Sequence, residues 1–372
     1  MELDLTAEQQ LQRDAAARFI AATCPISTIR DLVRSPAGLP AGYLDAAAQL
    51  GWFAMFVPEQ HGGGTVSGSA VRDAAALAEE RGRTLQPGPF GSTNVVAAAV
   101  TAAGSPEQRG AWLPPLRDGT SVATWAFPAA DGPSPSSLEA AAVPAGFRLS
   151  GHAPLVQDAA LADQLLVTAV GPGGPAQFVV ASTTPGITVT ALQSHDITQR
   201  FASVSFDEVM VPAAARLEGP GGAEADVEQQ LQLACVLSVA DTVGAMDALF
   251  EMTRRYALDR TAFGRPIGSF QAVKHQLADL GLALESSKAV AAAAVDAMDT
   301  RRDDSGETVS IAKAWVADRG VDLAQGCFQV FGGIGYTWDH DLHLYLRRIT
   351  MNGLLFGSAD WHRERICRLQ GL

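Results

Sequence analysis

At 372 residues, with 47% apolar and 18% charged side chains, the chain is long enough for two or three domains and apolar enough to bury a large core. A net charge of −13 argues against a nucleic-acid binder, which needs a basic face, and no apolar run reaches the roughly 20 residues that a membrane span requires. The N-terminal MELDLTAEQQ lacks the basic-then-apolar order of a signal peptide, and Cys24, Cys235, Cys327 and Cys367 form no CxxC pair, which together predict a cytoplasmic protein with reduced core cysteines.

Residues 1–118 read as helices. Thr6 and Gln9 have capping-box spacing ahead of an apolar face of Leu11, Ala15, Phe19 and Ile20. A helix over 44–50 ends at Gly51, and another is expected over 71–81. Between them lies HGGG at 61–64. Such glycines supply oxyanion donors in some hydrolases. With no GxSxG nucleophile elbow anywhere in the chain, the run predicts a tight turn instead. Leu113-Pro114-Pro115-Leu116 closes this part.

From 119 to 218 the helical period gives way to short alternating runs at 121–127, 146–150, 164–170, 177–181, 187–191 and 202–209. Pro, Gly and Ser separate them, as in a small antiparallel barrel or sandwich. No GxGxxG leads from a strand into a helix, so a Rossmann nucleotide site is not expected. GPGGA at 219–223 reads as a flexible joint. Beyond it, 227–258, 269–299 and 309–331 have the length and apolar stripes of bundle helices.

Between the first two of these helices stands RTAFGRPIGSFQAVKHQLAD, residues 260–279. Pro266 removes a backbone donor and Gly264 admits unusual backbone angles, so a turn is expected at 264–266. Arg260 then sits at the mouth of a helix–turn–helix. Its guanidinium suits a pyrophosphate, although an arginine there also serves simply as a cation facing the helix dipole. Phe263 can cover a flat ring, and Gln271 can donate and accept. Downstream lies QVFGGIGY at 329–336.

These two signatures, with VPEQHGGG at 57–64, resemble those of the acyl-CoA dehydrogenases, and the resemblance covers nearly the whole chain. It implies an α+β fold: an N-terminal helical domain (1–118), a middle antiparallel β domain (119–218) and a C-terminal four-helix bundle (227–372). It further implies an acyl-CoA substrate, an acceptor such as electron-transfer flavoprotein, and FAD between the middle domain and the bundle, with a neighbouring subunit closing over the adenosine and pyrophosphate part. The implied clamp is Arg260, Phe263, Gln271, Gln329, Gly332 and Gly333, all intact. The glycines make chemical sense where backbone must approach a cofactor.

Other family features are missing. The TEPxxGSD-like loop is replaced by Ala126-Phe127-Pro128-Ala129-Ala130-Asp131. The W-[IV]-T-N segment reads Leu155-Val156-Gln157-Asp158, losing the aromatic and the hydroxyl, though Gln157 can still hydrogen-bond a flavin. The family's reaction needs a carboxylate within reach of the Cα proton. One family position for that glutamate falls on Phe356; the other, about seven helical turns before Arg260, falls at Ala234. Gly244 keeps the helix in register with the family. Asp241, Asp247, Glu251, Asp339, Asp341 and Asp360 lie nearby and read as solvated or salt-bridged groups. His340 and His343 have a spacing that would place two imidazoles on one helix face, but the family binds no metal there. Arg347, Arg348, Arg363 and Arg365 offer a basic patch for CoA phosphates.

An intact clamp with a degraded flavin cradle and no base resembles the non-catalytic partner subunit of actinobacterial α2β2 acyl-CoA dehydrogenases. Those enzymes act on bulky thioesters such as sterol side chains and carry two flavins rather than four. The partner would supply the glutamate. Two alternatives stand beside this: a self-sufficient flavoenzyme on the same fold, either a dehydrogenase with a relocated base or a monooxygenase, and a non-catalytic scaffold.

Overall fold

The computed structural model describes residues 5–32, 38–127 and 137–372. The helical first part contains α1 (Ala7–Thr23), α2 (Ile26–Leu32), α3 (Tyr43–Gln49), α4 (Ala70–Arg83), α5 (Phe90–Ala103) and α6 (Pro106–Arg117). The capping box forms: Thr6 Oγ1 accepts from Gln9 N at 3.2 Å, and Gln9 Oε1 accepts from Thr6 N at 3.0 Å. The expected face of α1 is met at Ile20, which is buried, and at Phe19, which packs on the core, but its fully buried residues are not otherwise those expected. They are Gln9, Ala16 and Ile20, while Leu11 is 66% exposed. The Gln9 amide donates to Asp73 Oδ1 (2.8 Å) and Ser67 Oγ (2.9 Å), which turns this polar residue inward. The HGGG run is a turn, with Gly62 at φ +78° and Gly64 at φ +146°. Pro114 and Pro115 lie inside α6 rather than after it.

The middle part is a sheet of β1 (Ala123–Ala126), β2 (Leu138–Val143), β3 (Gly146–Gln157), β4 (Gln164–Gly171), β5 (Gly174–Ala181), β6 (Ile187–Ala191), β7 (Phe201–Pro212) and β8 (Arg216–Leu217). Its order is β6-β7-β3-β2-β4-β5-β8, with β1 beside β4. The sheet is mixed, not purely antiparallel: β1 runs parallel to β4, and β2 meets β4 in parallel at Glu139 and Val170. The β2–β3 hairpin intervenes between β1 and β4, and a connection of that length permits parallel pairing. Strand β2, not expected from the sequence, is alanine-rich and reads locally as helix. Successive side chains of β4 alternate faces: Leu166 joins the core shared with the helices, while Leu165, Val167 and Ala169 fill a second core within the sheet.

The last part comprises α7 (Ala223–Asp259), a hairpin of β9 (Thr261–Ala262) and β10 (Arg265–Pro266), then α8 (Gln271–Asp299), α9 (Ser305–Phe331), α10 (Leu342–Leu354) and α11 (Ala359–Leu369). Helix α9 packs against α7, α8, α10 and α11 at the centre of this helical domain. Helix α7 is long and apolar enough to cross a membrane, but 72% of its apolar window is buried in the protein itself. Cys24, Cys235 and Cys327 are buried as expected, whereas Cys367 on α11 is exposed.

Helices α4 and α7 cross at paired glycines. A Cβ on Gly82 would stand 1.9 Å from Asp241 O, and one on Gly244 would stand 1.9 Å from Glu79 O. The absence of both side chains lets the two backbones touch, and this contact holds Arg81 and Asp241 in place around the cavity described next.

Candidate functional site

Where α4, α5, β1, β3, α7 and α10 meet, they leave a cavity of about 1060 Å³ of empty space, its mouth included. Ala234 and Phe356 are both in its wall, so two positions 122 residues apart converge on one space. Trp125 and Phe127 form part of the apolar lining and stack at 4.4 Å between centroids. Of the stretch 126–131, residues 128–131 lie outside the described residues. The β3–β7 register shifts by one residue between Ala153 and Val156. This bulge re-aims the strand end and brings Leu155, Gln157 and Asp158 to the cavity wall.

The polar side of the wall is an ordered network. Arg348, only 2% exposed, pairs with Asp196 and Asp241, each at 3.2 Å, and donates to Leu85 O and Gln86 O, each at 3.0 Å. Asn352 Nδ2 donates to Asp241 Oδ1 at 2.7 Å. Asn352 Oδ1 accepts from Gln199 Nε2 at 3.1 Å. Arg81 is held between the Trp52 and Phe90 rings, 5.0 Å from each centroid, and donates to Tyr43 Oη (3.2 Å) and Pro87 O (2.8 Å). Asp158 is fully enclosed, and burial pushes its carboxyl up to about 7 against the opposing pull of the Ser92 hydroxyl, 3.3 Å away, and of Arg81, Arg348 and Arg200. Its φ of +56° is one that Asp tolerates better than most residues.

The six expected clamp residues lie elsewhere, and none lines the cavity. Arg260 caps α7: its N–H donates to Tyr256 O, and its carbonyl accepts from Ile267 N, both at 2.8 Å. The β9–β10 hairpin turns on Phe263 (φ +52°) and Gly264 (φ +78°), the paired positive angles of a tight hairpin. Phe263 at the tip is 96% exposed. Helix α8 starts at Gln271 and runs antiparallel to α9, with Gln276 Nε2 donating to Gly326 O at 3.1 Å. The start of α8 and the end of α9, where Gln329 stands exposed, therefore share one end of the pair. Tyr256 stacks on Phe331 at 4.2 Å and ties the Arg260 turn to Gly332 and Gly333, where an added Cβ would meet no atom within 4 Å. Among the described residues Arg260 makes no ion pair. The site thus presents a free guanidinium, two exposed amides, a flat ring and open glycine backbone, a donor set that fits a dinucleotide pyrophosphate.

Other candidates resolve into local roles. Asp241 pairs with Arg348, Asp247 with Arg83 and Lys288, Glu251 with Arg254 and Arg255, Asp341 with Arg30, and Asp360 with Arg363. His340 precedes α10, so it does not share a helix face with His343. It packs on Phe331, and His343 stacks on Trp338. Among the described residues no three His, Cys, Asp or Glu side chains form a group able to hold a metal. The four arginines do not form a common patch, because Arg348 and Arg365 are buried and paired and Arg363 is held by Asp318 and Asp360. Sequence reading missed Arg81 and Gln199 altogether and treated Asp158 only as a lost family residue. The signal for Asp158 was a carboxylate standing at a flavin-edge position.

The acyl-CoA dehydrogenase N-terminal domain model matches residues 6–120, and the C-terminal domain model matches residues 222–370. The chain belongs to the acyl-CoA dehydrogenase family. It is 32% identical to acyl-CoA dehydrogenase FadE27 of Mycobacterium tuberculosis over 89% of this chain and 86% of that one. It is 28% identical to acyl-CoA dehydrogenase IpdE2 of Mycolicibacterium smegmatis over 98% and 99%. FadE34 of M. tuberculosis is 31% identical over 96% of this chain, but the chain spans about half (47%) of that relative's length. Among solved structures it resembles a chain of the ChsE4-ChsE5 complex from M. tuberculosis, with 27% identity, TM-score 0.90 and coverage of 100% and 99%. It also resembles a chain of the Tcur3481-Tcur3483 steroid ACAD, with 28% identity, TM-score 0.87 and 98% of each chain covered. FAD is the family's cofactor, and the α+β architecture is the family's fold.

Proposed function

We propose that this chain is the base-less subunit of a heteromeric, flavin-dependent acyl-CoA dehydrogenase, gripping an FAD whose reaction centre belongs to its partner. The pairing of Ala234 with Phe356 in one cavity wall carries the base-less part of the reading, and an estimate along α7 supports the grip in trans. Ala234, in the cavity wall, and Arg260, at the helix end, are separated by 26 residues of one helix, roughly 39 Å at 1.5 Å per residue. A separation of that size supports a role for Arg260 at a cofactor in another subunit's cleft rather than in its own.

A bound FAD would supply the acceptor for hydride leaving Cβ of the thioester. The residues of this chain bind and orient. Arg260 neutralises pyrophosphate charge, Phe263 covers a flat face, and Gln271 and Gln329 hydrogen-bond the carrier. Gly332 and Gly333 admit the dinucleotide to backbone distance. In the chain's own cavity neither methyl nor phenyl accepts a proton, so Ala234 and Phe356 offer no base for Cα. The ChsE4-ChsE5 complex and the Tcur3481-Tcur3483 steroid ACAD support a partner subunit and a bulky steroid-derived acyl-CoA. Electron-transfer flavoprotein as acceptor and a cytoplasmic location belong to the same proposal.

Co-expression with a base-containing family member is the test. The expected product is an α2β2 complex with two flavins and thioester-oxidising activity, and a colourless, inactive protein when the chain is made alone. A homo-oligomer with one flavin per chain and turnover overturns the reading. One observation favours a second reading: Asp158, a carboxyl in the cavity wall raised to about 7, suits a relocated base in a self-sufficient enzyme. In that case Asp158→Asn abolishes turnover by the homo-oligomer.

A further inference from the structure

The proposed grip has one mechanically exposed part. Gly332 leaves α9 at φ +64° and ψ −146°, a conformation that glycine alone adopts readily. The chain swings away from the helix axis there, and nothing packs on the bend. Among the described residues, no atom beyond the adjoining backbone lies within 4 Å of where a Cβ would stand on Gly332 or Gly333. A glycine pair without packing keeps its orientation only if the segment beyond it is held.

Part of the hold is local. Thr337 N and Oγ1 both donate to Ile334 O, at 3.1 and 2.8 Å, and His340 N donates to Thr337 O at 3.3 Å. Gly335 is buried and seats the middle of this turn on Phe331 and Leu342, where a Cβ would stand 3.2 Å from each. One seat fixes a position but not a rotation about it. The second point of attachment comes from α2. Arg30 Nε donates to Asp341 Oδ1 at 2.7 Å, and Arg30 Nη1 donates to Trp338 O at 2.6 Å. The guanidinium also stands 6.0 Å from the centre of the Trp338 ring. Asp341 makes no capping bond to α10, so its carboxylate is left to Arg30. A two-pronged contact from a planar fork fixes direction as well as distance. Helix α2 is itself anchored: Ile29 is buried, Gln86 Nε2 donates to Cys24 O ahead of the helix (2.9 Å), and Arg200 Nη2 donates to Leu32 O at its end (2.8 Å).

We propose that Arg30 is a positioning residue for the flavin grip. It braces the turn from the helical first part of the chain, so that Gly332 and Gly333 present their backbone to the dinucleotide in one orientation. Arg30 itself touches no cofactor. The proposal rests on the reading that these glycines face a partner's FAD.

The test is the dissociation constant of FAD from the purified complex, read by ultrafiltration over a dilution series well below the melting temperature. Arg30→Ala should raise it about fivefold, the result for a turn that keeps its binding orientation only about a fifth of the time. Arg30→Lys keeps the charge but offers one donor group where the fork offers two, so it should recover part of the loss, and it decides the matter if the alanine variant does not assemble. Asp341→Asn should weaken retention as well, and adding it to Arg30→Ala should cost nothing further, because the two residues share one contact. A merely structural contact would lower the melting temperature and leave the flavin constant as it was, and that outcome overturns the proposal. Full additivity of the two substitutions overturns it too. Arg260→Ala on the same scale separates this inference from the reading beneath it. If Arg260→Ala releases flavin and Arg30→Ala does not, this inference alone fails; if neither does, the grip itself fails.

Discussion

At the scale of single residues, Asp158 and Arg260 make opposite uses of charge. Asp158 is enclosed, and its carboxyl is raised from 3.8 to about 7 because burial disfavours the anion. In the unfolded chain the group ionises near 4, so between about pH 4 and pH 7 the folded state holds a proton that the unfolded state has lost. Stability therefore falls as pH rises through that window and levels off above it. At 1.36 kcal/mol per unit the loss is at most roughly 4 kcal/mol. Asp158→Asn, which suits the positive φ at least as well, should flatten this slope and raise the melting temperature at pH 8 but not at pH 4. Parallel thermal melts across that range check it, and an unchanged slope refutes it. Arg260 is instead exposed and has no ionic partner among the described residues. Arg260→Ala should leave the fold intact and remove charge-assisted bonds worth roughly 1.5–3 kcal/mol. Flavin dissociation from the complex should then increase by about 10- to 100-fold, read by ultrafiltration and absorbance.

At the scale of elements, the α4–α7 crossing governs the cavity. Gly82 and Gly244 face each other's backbones at distances that exclude a methyl group. Gly244→Ala gains helix propensity but drives a carbon into Glu79 O, and relief requires moving a whole helix. Overpacking of this kind typically costs 1–3 kcal/mol, so the variant should melt lower despite the better helix former. Because Arg81, Ala234 and Asp241 sit on the two helices concerned, its cavity should also respond, seen as a shift in Trp125 emission.

Over the whole molecule, the sequence is legible where local chemistry repeats and opaque where distant segments meet. The long helices are plain from their apolar stripes, and the positions of Arg260 and Gly333 follow from motif spacing. The direction of β1 against β4 is not, because alternation carries no information about partner polarity. Nor is the second core, which gathers residues from across 122–215. Asp158 and Gln199 gain their meaning only when a strand bulge, a buried arginine and an asparagine on α10 come together, and these lie far apart along the chain. The sequence does record the separation of the two sites, since helix geometry alone converts the interval from Ala234 to Arg260 into a length.

That length has a mechanical corollary. A single 37-residue rod carries both features, so their relative azimuth is locked to the helical repeat. Removing one residue between them would swing the guanidinium by about 100° around the axis and draw it in by about 1.5 Å. The proposed grip on a neighbour's cofactor and the packing of the home cavity therefore share a phase, and neither can drift along the chain without turning the other out of position.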